Sequence, residues 1–163
     1  MKKSLFVLFS LLFVAGISFG QKAPASPPMT SESSMVTVNY SAPSKKGRDV
    51  FGALVPYGKV WRTGANDATT ITFKKDVNFG GARVKAGTYS LFTIPGEKEW
   101  SVILNSEAKQ WGAYKYDEKK NVAEVKVKSM VGESNVEQMN ITTSDSQVTI
   151  SWDMTVVHIP LKF

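Results

Sequence analysis

Asn121-Val122-Ala123-Glu124-Val125-Lys126-Val127-Lys128 decides the fold. Ala123, Val125 and Val127 fall on one side of an extended chain, and Glu124, Lys126 and Lys128 on the other. A period of two, apolar against charged, belongs to an antiparallel strand with one face in a core and one in water. Working outward, Trp100-Ser101-Val102-Ile103-Leu104-Asn105 reads as the strand before it. Thr88-Tyr89-Ser90-Leu91-Phe92-Thr93-Ile94 precedes that, closed by Pro95-Gly96 and the polar Glu97, Lys98 and Glu99; β-branched and aromatic residues of this kind suit a pleated, half-buried surface. Downstream, residues 136–143 and 147–152 flank Ser144-Asp145-Ser146 as a hairpin, and residues 155–159 form a last strand before Pro160. Upstream, Val36, Val38 and Tyr40 share a face in a strand that Pro43 ends. Residues 69–73 and 77–79 follow, with Gly80-Gly81 as a hairpin turn. Beyond the first twenty residues no window longer than about ten carries a 3.6 period. The expected architecture is all-β: an antiparallel β-sandwich or jelly roll of eight to nine short strands with little helix. Its core should include Val36, Val38, Phe73, Leu91, Val102, Leu104, Val125 and Trp152.

The N-terminus reads as an address. Met1-Lys2-Lys3 is basic, residues 5–19 are apolar apart from Ser10, Gly16 and Ser18, and Ser18-Phe19-Gly20 places small residues before Gln21. That is the pattern of a secretory signal peptide cut after Gly20, and it is too short for a stable membrane span. The expected division is a signal peptide over 1–20, a flexible Pro/Ala/Ser-rich leader over 21–32, and one domain over 33–163. The destination is periplasmic or secreted, with no membrane span once the signal is removed. With no cysteine in the chain, lipid attachment at the cleavage site, thiol nucleophiles and thiolate metal sites are excluded. A domain of this size folds without crosslinks.

The 20 Lys and Arg stand against 14 Asp and Glu, and the signal would take Lys2 and Lys3 with it. The remaining positive charge is mild and spread. Its densest runs are Lys45-Lys46-Gly47-Arg48 and residues 115–128, the second interleaved with Asp117, Glu118 and Glu124. Solvated strand faces and turns account for that pattern; a clustered stripe for nucleic acid is not there, and no nucleic-acid partner is expected.

One segment does not read as a strand pair. Residues 47–66 hold Gly47, Gly52, Gly58, Gly64 and Pro56 beside Phe51, Tyr57, Trp61, Arg48 and Arg62. A long loop of this kind is either functional or disordered, and its aromatic content argues for order. Arginine offers a planar fork for carboxylate, phosphate or hydroxyl groups. Asn66 and Asp67 supply paired donors and acceptors, and Tyr57, Trp61, Trp111, Tyr114 and Tyr116 offer flat apolar faces. The candidate ligand-binding set is therefore Arg48, Tyr57, Trp61, Arg62, Asn66, Asp67, Trp111 and Tyr114. A structural reading stands beside it. Trp61 and Phe51 would be core anchors, and Arg62 and Asp67 an ion pair that shapes the loop.

These motifs also carry a resemblance. Gly47-Arg48-Asp49-Val50-Phe51-Gly52, Leu54-Val55-Pro56-Tyr57-Gly58, Trp61-Arg62-Thr63-Gly64-Ala65-Asn66 with Ala68-Thr69, residues 86–95 and Trp111-Gly112-Ala113-Tyr114 resemble the signature of a secreted bacterial family catalogued as domain of unknown function 2911. The likeness runs from about Val36 to Lys128. Asp67 stands where the family more often has glutamate, which keeps the charge. The resemblance implies export and a β-rich single domain, and it brings no activity.

Other chemistries find little footing. His158, the one histidine, lies in the apolar Val156-Val157-His158-Ile159 and reads as structural. No ligand spacing for a metal occurs, no Gly-x-Ser-x-Gly elbow is present, and no cofactor is called for. A hydrolase would have to pair carboxylates from among Asp49, Asp67, Asp117, Glu118 and Asp153 in three dimensions. A small outer-membrane barrel is suggested by Ile159, Leu161 and the terminal Phe163 at spacing two, but the charged faces and the Gly-rich loop fit it poorly. The leading expectation is an exported β-sandwich that binds a small molecule, a glycan or a protein through residues 47–66.

Overall fold

The structure, a computed structural model, describes residues 26–163. The expected signal peptide and the first part of the leader lie outside the described residues. Nine antiparallel strands form one sheet in the order β1-β2-β3-β6-β7-β8-β9-β4-β5. They are β1 (Pro28–Glu32), β2 (Val36–Ser41), β3 (Thr70–Phe73), β4 (Val77–Phe79), β5 (Ala82–Val84), β6 (Gly87–Ile94), β7 (Glu99–Asn105), β8 (Asn121–Ser144) and β9 (Gln147–Lys162). The only helix among the described residues is a 3-10 turn, Glu118–Lys120, capped by the Asp117 side chain.

β8 makes a sandwich out of this single sheet. Its first part, where Ala123, Val125 and Val127 are buried and the residues between them exposed, pairs with β7. From Ser129 onward it pairs with β9 instead. The register slips between Val131 and Val136 and again before Asn140. Such bulges add backbone to one strand, increase its twist and bend it, and here the bent stretch is mostly exposed. The second half of β8 then lies with β9, β4 and β5 across from β1, β2, β3, β6 and β7. Met139, Ile141, Ile150 and Trp152 meet Val36, Val38, Phe73 and Leu91 in one continuous apolar cluster. Polar ties join the layers: Tyr40 Oη accepts from the Ile141 N–H at 3.0 Å, and Asp145 Oδ1 accepts from the Met35 N–H at 3.0 Å. All eight expected core residues are buried. The sheet is open, with β1 and β5 at its edges, whereas a membrane barrel has no edge.

Two expectations need correction. Residues 28–32, assigned to the leader, are strand β1, paired with β2 from Pro28 opposite Ser41 to Glu32 opposite Thr37. β1 is almost wholly exposed on its faces. Ladder bonds and the Thr30 Oγ1 to Asn39 Oδ1 bond of 2.7 Å hold it, so it has no apolar alternation to display. The strands expected at 136–143 and 155–159 are the far portions of β8 and β9, not separate elements. The polar bulged residues between them looked like turns.

Candidate functional site

Residues 42–69 connect β2 to β3 without a strand of their own, yet their backbone is tied down at successive points. Where β3 stops, the loop takes over the outer edge of β6. Leu91 N–H donates to Thr69 O at 2.7 Å, Trp61 N–H to Thr93 O at 2.8 Å, and Thr93 N–H to Trp61 O at 3.0 Å. The Trp61 ring then drops into the core, stacked on Trp152 with centroids 6.0 Å apart and edge-on to Phe51 and Trp100. Its Nε1–H donates to Gly64 O at 3.1 Å.

Thr63 is fully buried with a φ of 55°. A β-branched residue in the left-handed region costs about 1–3 kcal/mol and persists only where its surroundings over-determine it. They do so here: Thr69 Oγ1 donates to Thr63 O at 2.8 Å, and the Thr63 and Thr93 hydroxyls meet at 3.1 Å. Gly64 follows, where an added Cβ would sit 2.9 Å from Ser41 O and 3.1 Å from Thr69 Oγ1. Arg62 is thus held between a bridged tryptophan and a strained, buried threonine, with its own carbonyl accepting from Thr69 N–H at 3.1 Å.

Three recesses open around this frame. The first is a groove of about 730 Å³ whose walls include Lys46, Arg48, Lys59 and Arg62, with Trp61 and Trp152 beneath. No aspartate or glutamate lines it, and none of the four cations has a carboxylate in ion-pair range among the described residues. Residues 1–25 contain no acidic residue either. Arg48 is anchored through Nε to Lys45 O at 2.7 Å and through Nη2 to Ser44 O at 2.8 Å. Glu137 of β8, which does not line the groove, accepts from the Lys46 backbone N–H at 2.9 Å. Arg62 Nε is closed off from solvent and has no acceptor.

The second recess, about 120 Å³, joins Arg62 to Asn66, Trp111, Gly112 and Tyr114. Trp111 is 63% and Tyr114 85% exposed. Their segment is nonetheless pinned, because Gly112 N–H donates to Asn66 O at 3.1 Å and Ala68 N–H to Gln110 O at 2.9 Å. The third, a cleft of about 600 Å³ beside β1 and β2, holds Asp67 and the other side of Trp111.

The sequence-derived candidates therefore divide. Arg48, Trp61 and Arg62 share the groove; Arg62, Asn66, Trp111 and Tyr114 share the small recess; Asp67 stands beside Trp111. Tyr57 lines none of the three and lies over Gly52, whose added Cβ would meet its ring at 2.8 Å. Tyr116 is tucked edge-on against Phe92 at 5.0 Å. Arg62 and Asp67 form no ion pair, and Trp61 is both core anchor and groove floor. Lys46, Lys59 and Trp152 were missed. The lysines looked like ordinary solvated charge, and Trp152 arrives from β9 with nothing in its neighbourhood to betray an edge turned to the loop.

His158, Asp153 and Asp117 are occupied structurally. His158 Nδ1 is 2.8 Å from Gln147 Nε2 and 2.9 Å from Thr149 Oγ1. Asp153 is paired with Lys45 at 2.5 Å and accepts from Asn135 at 3.0 Å. Asp117 caps the 3-10 turn. Of the five candidate hydrolytic acids, only Asp67 lines any of these recesses. No group of three or more His, Asp or Glu suited to a metal ion occurs among the described residues.

A family profile described as protein of unknown function (DUF2911) matches residues 24–161. The chain belongs to that family. No curated protein and no solved structure matches it. The DUF2911 match covers residues 47–66 and the strands from β1 into β9.

Proposed function

We propose that this DUF2911 chain is an exported binding domain, and that its working surface is the groove of the 42–69 loop, which takes a ligand bearing negative charge. The observation that carries the reading is the set of four cations, Lys46, Arg48, Lys59 and Arg62, around one recess with no carboxylate on its walls. Lysine and arginine gathered without partners repel one another, and an anion relieves that repulsion. The recess falls within the usual size of a small-molecule site, and its aromatic floor fits the mix of apolar wall and few polar groups such sites use. The backbone at Arg62 is held from both sides, so ordering on binding is confined to its side chain.

Calorimetric titration of the purified protein with pyrophosphate and with citrate tests this. Binding that weakens as salt is raised, and falls at least tenfold in Arg62→Ala, is the expected result. No uptake of either polyanion at low salt, or equal uptake by Arg62→Glu, would overturn it. Arg62→Ala should melt close to the parent, because no buried ion pair is broken. Export rests on the Met1–Gly20 pattern. Mass spectrometry of the exported product should show an N-terminus at Gln21, and a retained leader would remove that part of the reading.

A further inference from the structure

The groove ends at Arg62, and the same side chain walls the recess that holds Trp111, Tyr114 and Asn66. The chemistry changes across it. On one side lie cations without partners. On the other lie two of the most exposed aromatic side chains among the described residues, on a segment fixed by backbone bonds to Asn66 and Ala68. Single exposed apolar residues need no explanation, but two exposed aromatics lining one recess with an arginine do. Beside them stands a carboxylate, Asp67, which lines the cleft on the far side of Trp111. That carboxylate disfavours a second anion there and calls for hydroxyl donors instead.

Resting on the groove reading, we propose that the ligand is an acidic sugar. Its carboxylate, phosphate or sulfate group lies against Arg62 and the groove, and a hydroxylated ring stacks on Trp111, with hydroxyls toward Asn66. The C–H face of a pyranose carries slight positive charge and complements the negative face of an indole. Its hydroxyls leave sideways, where the Asn66 amide can both accept and donate. The platform is open, because Trp111 and Tyr114 both stand largely in solvent and are not among the stacked or edge-on aromatic pairs of the described residues, which suits a sugar better than the clamp a nucleobase usually receives.

The test is binding of an oligogalacturonate, a sulfated disaccharide and glucose 1-phosphate, with pyrophosphate, a nucleoside diphosphate and poly-glutamate as comparators. The variants are Trp111→Ala and Trp111→Phe. At least one acidic sugar should bind tenfold or more tighter than its uncharged counterpart. Trp111→Ala should cost that sugar about tenfold, Trp111→Phe should restore most of it, and pyrophosphate binding should not change in either. Tryptophan emission should shift on binding in the parent and less in Trp111→Ala. If pyrophosphate binds but no acidic sugar does, or Trp111→Ala leaves sugar affinity unchanged, the sugar assignment falls and the groove stands. If the nucleotide or the acidic peptide binds more tightly than every sugar in a Trp111-dependent way, that class takes its place and the proposal is overturned. If nothing anionic binds at all, the groove reading itself has failed.

Discussion

The β8–β9 hairpin pairs by ladder along Ser129–Val131, at Val136 and along Asn140–Ser144, with register shifts between. Residues 42–69 have no ladder; their isolated bridges join Ser44 to Gln138, Phe51 to Val55, Trp61 to Thr93 and Asp67 to Trp111. Charge is divided within the loop itself. Lys45, near its start, is paired with Asp153 of β9. Lys46, Arg48, Lys59 and Arg62 around the groove are not. A ladder spreads its support over many equivalent bonds, so one loss is shared. A loop held by a few contacts concentrates its support, and each contact should be costly to remove. The payoff is a rigid backbone with unsatisfied side chains, which is what a binding surface needs.

The largest expected effect tests where the two regions meet. Trp152 of β9 stacks on Trp61 of the loop and lies edge-on to Phe51 at 6.1 Å. Trp152→Ala should cost about 3–5 kcal/mol in urea unfolding, the usual range for a buried tryptophan. Trp61→Ala should fall in the same range. Their double variant should cost less than the sum by about 0.5–1.5 kcal/mol, since one stacked pair is lost once. Strict additivity would show that the loop and the hairpin are stabilised independently, and the comparison would lose its link.

Next comes a pair of glycines within the loop. Gly64→Ala should cost about 2–3 kcal/mol, because its Cβ meets the backbone oxygen of Ser41 at 2.9 Å. That oxygen also accepts from Ala65 N–H at 3.1 Å, so relieving the clash gives up a tie that shapes the loop. Gly52→Ala should cost about 1–2 kcal/mol. Its φ of 90° disfavours alanine, but the neighbour it meets is the exposed Tyr57 ring, which can swing away. Chemical unfolding of the two variants side by side checks the order. A milder Gly64→Ala would mean that the loop tolerates displacement and is not the fixed frame described here.

The same contrast explains what could be read in advance. Where one face is buried, a strand writes its register into alternating residues, so residues 121–128 and the 144–146 turn were legible, as was the buried set from Val36 to Trp152. β1 was not, because ladder bonds to β2 leave no apolar trace. The bulged middle of β8 read as loop because polar residues at a bend look like a turn. In the loop, residue types marked Arg48, Arg62 and Trp61 as unusual, but their grouping depends on contacts far apart in sequence. Trp152 and Trp111 reach the loop from β9 and from the segment after β7, and no local pattern reports such an approach. Lys46 and Lys59 differ from paired lysines only in having no carboxylate within ion-pair range of the amine among the described residues, which is a property of the fold.

The smallest expected effect lies at the tip of the hairpin, where support is shared. Asp145 accepts from the Met35 N–H at 3.0 Å and from the Ser34 hydroxyl, tying the β8–β9 turn to the start of β2. The Ser34 and Ser33 hydroxyls, with the Met35 N–H helping, hold its carboxyl below the ordinary aspartate value. A carboxyl depressed on folding stabilises fully above its unfolded pKa of about 3.9 and loses that contribution as pH falls toward the folded value. Asp145→Asn should therefore lower Tm slightly at pH 7, and the gap should close as both proteins are melted at successively lower pH below about 4. The site is fully exposed, so solvent keeps the effect small. A gap that persists unchanged at pH 2, or a drop at pH 7 as large as that of Gly64→Ala, would show that this turn depends on a single contact after all, and that the ladder does not share its load.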